Sequence, residues 1–187
     1  MSLVSIVVLV VAVGIAIALI YNRLVRSRNR VRSAWSDIDV QLQRRHDLVP
    51  RLVAAVDQYA DYERATLEAI TELRSEAMRV AEVSARGEVE EKLSKEVGRL
   101  IALAENYPDL KANENFLKLQ EELVETENYL QFARRYYNGS VRDYNTAIET
   151  VPNNIVAAMF AFEAHEFFQK DSDDAANVPL VKFGTVE

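Results

Sequence analysis

The sequence predicts an all-α protein: an N-terminal transmembrane helix followed by an elongated, antiparallel four-helix-type bundle. Three observations carry this reading. Leu3–Ile20 is an uncharged apolar run, the rest of the chain repeats apolar residues at intervals of three and four, and no useful stretch alternates as a strand would. Five glycines and four prolines are also too few for the turns of a sandwich or barrel. At 187 residues the chain has room for one domain and an anchor.

The anchor comes first. Its apolar run, at about 1.5 Å per residue, reaches roughly 27 Å, close to the hydrocarbon thickness of a bilayer. Tyr21 follows where an interfacial aromatic belongs. A cleaved signal peptide would need a basic start and a small-residue cleavage site. Met1-Ser2 and Tyr21-Asn-Arg-Leu-Val25 supply neither, so residues 1–22 are read as a retained anchor. Ala12 with Ala16, and Gly14 with Ala18, would permit close anchor packing.

Next comes a juxtamembrane basic collar over 23–32. Arg23, Arg26, Arg28, Arg30 and Arg32 face no acid before Asp37. The positive-inside rule puts the N-terminus outside and the C-terminal domain in the cytoplasm. These five arginines are the membrane-surface residues, able to reach the phosphates of anionic lipids.

The body, residues 33–168, reads as four long segments and a short one. Val31, Trp35, Ile38, Leu42, Val49, Leu52, Val56 and Tyr59 form the stripe of a first helix, with Pro50 predicting a bend near His46–Pro50. Asp61 can cap a second helix with Leu67, Ile70, Leu73 or Arg74, and Ala77 inward. Arg86-Gly87 should break the pattern before a third helix from about Glu88 to Asn106.

Asn106-Tyr-Pro-Asp109 is the clearest turn. The fourth helix carries the most regular seam: Phe116, Leu119, Leu123, Thr126, Leu130, Ala133, Tyr137, Ser140, Tyr144 and Ala147. Gly139 within it suggests a close helix contact. Pro152 then opens a short helix from Asn153 to about Phe162, and residues 169–187 form an irregular tail.

Charge and composition exclude several functions. The net charge is −7, and beyond the collar all 29 acids face only the 17 basic residues left when five of 22 are set aside. So acidic a body repels a polyanion, and nucleic acid is not an expected partner. There is no cysteine, and the two imidazoles, His46 and His165, share no metal-binding spacing. No phosphate loop or nucleophile elbow occurs. The chain is read as no enzyme, with no catalytic, cofactor-binding or metal-ligating residue.

Two polar or aromatic groupings remain. Arg44, Arg45, His46 and Asp47, with Gln41 nearby, crowd the helix before Pro50, and Arg45 falls on the apolar seam itself. A buried arginine needs an acid from elsewhere, and Glu122, Glu125 and Glu127 are its candidate partners. These residues are read as a buried polar network or a partner contact. Tyr136, Tyr137 and Tyr144, beside Tyr129 and Phe132, are core or a subunit interface.

Four stretches resemble the LemA family of bacterial membrane proteins. They are Tyr21-Asn-Arg-Leu-Val25 and Trp35-Ser-Asp-Ile-Asp-Val-Gln-Leu-Gln-Arg-Arg-His-Asp-Leu-Val-Pro-Arg-Leu52. They continue with Asn106-Tyr-Pro-Asp-Leu-Lys-Ala-Asn-Glu-Asn-Phe116 as far as Ala133-Arg134, and with Tyr137-Asn138 followed by Tyr144-Asn145. The resemblance implies a single-pass protein of the bacterial inner membrane, N-terminus outside, carrying a helical bundle. It supplies no reaction. Family members often lie near a membrane metalloprotease, a hint of envelope maintenance. The departure is at Ala161–Phe168, where relatives have Gly-Phe and a proline-containing loop, and which here reads as more helical.

The expected function is therefore a membrane-anchored helical scaffold that forms homo-oligomers. The alternative is an adaptor for another membrane protein, such as a membrane protease.

Overall fold

The computed structural model describes residues 2–58 and 64–168, and its regular structure there is entirely helical. Helix α1 (Leu3–Asp57) opens on Ser2, whose hydroxyl accepts from the Ser5 N–H, and runs unbroken for 55 residues. Anchor and first bundle helix are thus one rod. Among the described residues it is the one helix long and apolar enough to cross a membrane, and none of its apolar run is buried by the rest of the protein.

Pro50 lies inside α1 without ending it. Proline has no N–H for the carbonyl four residues back, which here belongs to His46. Arg74 of α2 (Arg64–Arg79) takes that place, its Nε donating to the His46 carbonyl oxygen at 2.6 Å. At the predicted bend the helix continues, tied to α2 through Arg74. Helix α2 buries Leu67, Ile70 and Ala77. Its expected cap, Asp61, lies outside the described residues, as do Tyr59 and the tail 169–187.

Helix α3 (Val83–Ala104) starts earlier than the sequence suggested, because the chain leaves the helix at 80–82 and not at Arg86-Gly87. A helical glycine costs about 1 kcal/mol. Neighbouring contacts offset it: Arg86 pairs with Asp39 at 3.1 Å and lies over the Trp35 ring. A single turn, α4 (Pro108–Lys111), begins inside the predicted Asn106–Asp109 bend, runs two residues past it and buries Leu110. Asn113 then caps α5 (Glu114–Glu149), accepting from the Asn115 and Phe116 N–H groups.

The buried face of α5 follows the predicted seam, with Ala133 and Ala147 half-buried and Val141 added. Gly139 marks no close contact, since a Cβ there would meet nothing within 4 Å. Helix α6 (Asn153–Met159) stops short of Phe162. It ends in a Schellman motif: Phe162 N–H bonds Ala157 O at 2.9 Å, Ala161 N–H bonds Ala158 O at 3.4 Å, and Ala161 adopts φ 51°. The left-handed conformation is strained for alanine and natural for glycine.

Residues 162–167 are extended, not helical as expected. They form a strap along α5, fixed by side chains that bond its backbone. Tyr144 Oη donates to Glu163 O and Tyr137 Oη to Glu166 O, each at 2.9 Å. Asn145 both accepts from the His165 N–H and donates to its carbonyl, and Asn138 accepts from the Phe168 N–H. Without those partners a half-buried strand of backbone would lose its hydrogen bonds to water uncompensated.

Two apolar cores result. The far core joins Leu48, Val49, Leu52 and Val56 of α1 to α2, α3, α4 and Phe116, Leu119 and Leu123 of α5. The near core, next to the anchor, joins Leu24, Val31, Ala34, Ile38 and Leu42 to the second half of α5, α6 and the strap. Leu24 is fully buried, so packing begins inside the stretch read as a separate collar.

Candidate functional site

A polar layer separates the two cores. Its members are Arg45, His46 and Glu90, at 2%, 1% and 0% exposure, and among the described residues no other Arg, Lys, His, Asp or Glu is buried. The stripe of α1 carries Arg45 inward because it occupies the a/d phase, and an arginine there must be met on all sides. Its two terminal nitrogens are met, while Nε has no hydrogen-bond partner among the described residues. The guanidinium donates to the Glu90 carboxylate and the Ser94 hydroxyl of α3, to the Glu90 carbonyl at 3.2 Å, and to Glu127 of α5 at 2.9 Å.

Ser94 also donates to Glu127, at 3.2 Å, and His46 Nε2 lies 2.8 Å from the other Glu90 oxygen. Three helices are thereby tied at one level, and Arg74, on the His46 carbonyl, brings in the fourth.

Burial alone would raise the Glu90 pKa, but the His46 hydrogen bond and the charge of Arg45 outweigh it and hold the carboxyl below its ordinary value. Arg134 is lowered, by burial first and against the pull of Glu127, and its guanidinium lies over the Phe168 ring. The Arg45 guanidinium thus lies between two carboxylates, Glu90 and Glu127.

The other sequence candidates fall elsewhere. Arg44 is exposed and pairs with Glu125 at 2.9 Å, and Arg51 meets Glu122 at 3.8 Å, so of the three proposed acids only Glu127 reaches Arg45. Asp47 is exposed and accepts from Gln43, one turn back on the same helix, outside the layer. Arg23, Arg26, Arg30 and Arg32 are exposed, but Arg28 turns inward over the Phe162 ring, 4.9 Å from its centroid.

The tyrosines divide. Tyr137 and Tyr144 are buried within their own chain under the strap, which excludes them from a subunit interface. Burial, with Glu166 adding to it, pushes the Tyr137 phenol up to about 12. Tyr136 faces outward. With Val40, Tyr129 and Phe132 it forms a shallow groove between α1 and α5, each of the four more than half exposed.

Sequence reasoning missed Glu90, Ser94 and Arg74 of the layer, and Val40 of the groove. Among the described residues no three His, Asp or Glu side chains come together as a metal site.

Comparison with known proteins agrees with this architecture. The sequence model of the LemA family matches residues 34–183. Magnetosome protein MamQ 2 of Paramagnetospirillum magneticum is 26% identical over 187 aligned residues, covering 86% of this chain and 68% of that protein. Protein LemA of Metamycoplasma hominis is 28% identical over 159, covering 81% and 73%. Magnetosome protein MamQ of Magnetospirillum gryphiswaldense is 23% identical, with 86% and 68% covered.

Proposed function

The chain belongs to the LemA family, and from that premise we propose that it is a membrane-anchored, non-enzymatic scaffold whose copies associate through the groove of Val40, Tyr129, Phe132 and Tyr136. The single observation carrying this is that groove. Four large apolar side chains stand exposed between the two longest helices, midway along a body whose remaining flank there is taken up by α3 and the strap. Exposed aromatics clustered in a concave patch are what protein interfaces use, because they bury much area for few rotatable bonds. The rod of α1 holds the groove at a set height above the bilayer, and the positive-inside rule, applied to the exposed arginines after the apolar run, supports a body on the cytoplasmic side. Work is done by position and contact, and neither the layer nor the groove needs a bound cofactor.

The absence of cysteine permits a direct test in native membranes. Phe132→Cys and Tyr136→Cys should give disulfide-linked dimers under mild oxidation, while Lys95→Cys, exposed on α3, should not. Monomers at all three positions would contradict the scaffold. Links from the groove to a different protein alone would favour the adaptor, with a membrane protease the first to be sought.

A further inference from the structure

The end of the molecule nearest the anchor carries an apolar surface that neither the fold nor the proposed groove uses. No residue from Thr150 to Phe162 is charged, in a chain that is 27% charged. Within it α6 turns Val156 and Ala157 into the near core. Its other side leaves Ile155 and Met159, four residues apart on one face, each at 62% exposure, with Val151 at 73% just before the helix and Phe160 at 47% just after it. A contiguous exposed apolar patch of this kind marks a surface that another apolar phase covers.

Its height on α1 indicates what does. The Phe160 ring lies 4.8 Å from the ring of Tyr21, and Ile17 and Ile20 pack against the same core as Val156 and Ala157. These α1 residues are the last turn of the apolar run. The exposed face of α6 therefore hangs level with the end of the run. Exposed Arg23 and Arg26 follow just beyond on α1, at headgroup height, while Glu149 and Glu163 bound the uncharged stretch. The apolar surfaces of α1 and α6 are continuous, and one solvent suits both.

We propose that α6 is a second membrane contact: its exposed Ile155 and Met159, with Val151 and Phe160 at its two ends, lie in the acyl-chain border of the leaflet from which α1 emerges. The occupant of this surface is lipid. Interfacial helices sink about 5–10 Å into this border, a depth matching the level of Ile17–Tyr21. Two contacts at one end hold the body upright and set its rotation about α1, so the groove points along the membrane in a fixed direction. The inference rests on α1 being the anchor.

Single cysteines at Ile155, Met159, Leu19, Val10 and Val124, each carrying a small fluorophore, test it in the full chain. The protein is placed in phosphatidylcholine nanodiscs doped with lipid bearing a nitroxide high on its acyl chain. Emission at 155 and 159 should fall as far as at 19, and emission at 124, exposed on the far half of α5, should not fall. Iodide in the water should quench 124 alone. If 155 and 159 behave like 124 while 10 and 19 are quenched by lipid, α6 faces water and the proposal is overturned, with the anchor intact. If 155 and 159 resist both quenchers, protein covers them and the lipid assignment is equally overturned. If 10 and 19 are also untouched by lipid, the anchor reading fails and takes this one with it.

Discussion

The two halves of the body are closed by different means. In the far half, α2 and α3 pack Leu, Ile and Val side chains against α1 and α5, and the backbone is helical, with the His46 carbonyl met by Arg74. In the near half only α1 and α5 are long helices. The space that another helix would fill is taken by α6 and an extended strap, whose backbone is bonded by Tyr137, Asn138, Tyr144 and Asn145. The first solution needs only periodicity. The second needs particular polar side chains at fixed heights, which makes it more easily undone.

The largest expected effect lies at the boundary. Arg45→Ala leaves Glu90 buried without its cation, and should cost about 3–5 kcal/mol in denaturant melts, as removal of one partner of a buried pair does. Replacing both, Arg45→Met with Glu90→Leu, should recover most of that loss. A loss confined to the near half would show the halves to be uncoupled. Low pH acts on the same layer. The depressed Glu90 pKa gives a contribution present above the unfolded value of about 4.3, and lost as pH falls through the folded value.

Next comes the strap. Asn145→Ala strips two partners from His165 and should cost about 1–3 kcal/mol, with faster amide exchange along 162–168 and unchanged exchange in α2 and α3. Mild acid should loosen the same segment. Burial, then Arg32 and Arg28, hold the His165 pKa below 6.5, so its neutral form stabilises the strap above that pH and the contribution is lost as pH falls.

Smaller still is the coupling of Arg74 to Pro50. Arg74→Ala should cost about 1 kcal/mol more in the native background than in Pro50→Ala, where a helical N–H again meets the His46 carbonyl. Equal costs would mean that Arg74 acts otherwise. Smallest is Ala161→Gly, which should raise stability by about 0.5–1 kcal/mol by relieving the positive φ.

The same contrast explains what the sequence disclosed. The seam from Phe116 to Ala147 was legible because burial of one face leaves a spacing of three and four. Arg45 was conspicuous because it interrupts such a seam, and that anomaly led to the layer. Glu90 was not, since Glu88, Glu90 and Glu91 look alike until the rotation of α3 is known, and only Glu90 is fully buried. The pairing of Ser94 with Glu90, four residues apart on one face, was the available clue.

The strap has no period. Its trace is the pair of Tyr-Asn steps, Tyr137-Asn138 and Tyr144-Asn145, seven residues apart and hence on one face. There Tyr reads as an interface until the chain's own last segment is seen to cover it. Val40 lay off the α1 stripe, and nothing but the exposed aromatics across from it on α5 gives it a role.

The most direct test of the scaffold is the mass of the full-length chain in mild detergent, by light scattering, beside Phe132→Glu/Tyr136→Glu. A discrete oligomer that falls to monomer in the variant, with melting unchanged, is the predicted result. A native chain that is already monomeric, or an oligomer indifferent to the two substitutions, would contradict assembly through the groove.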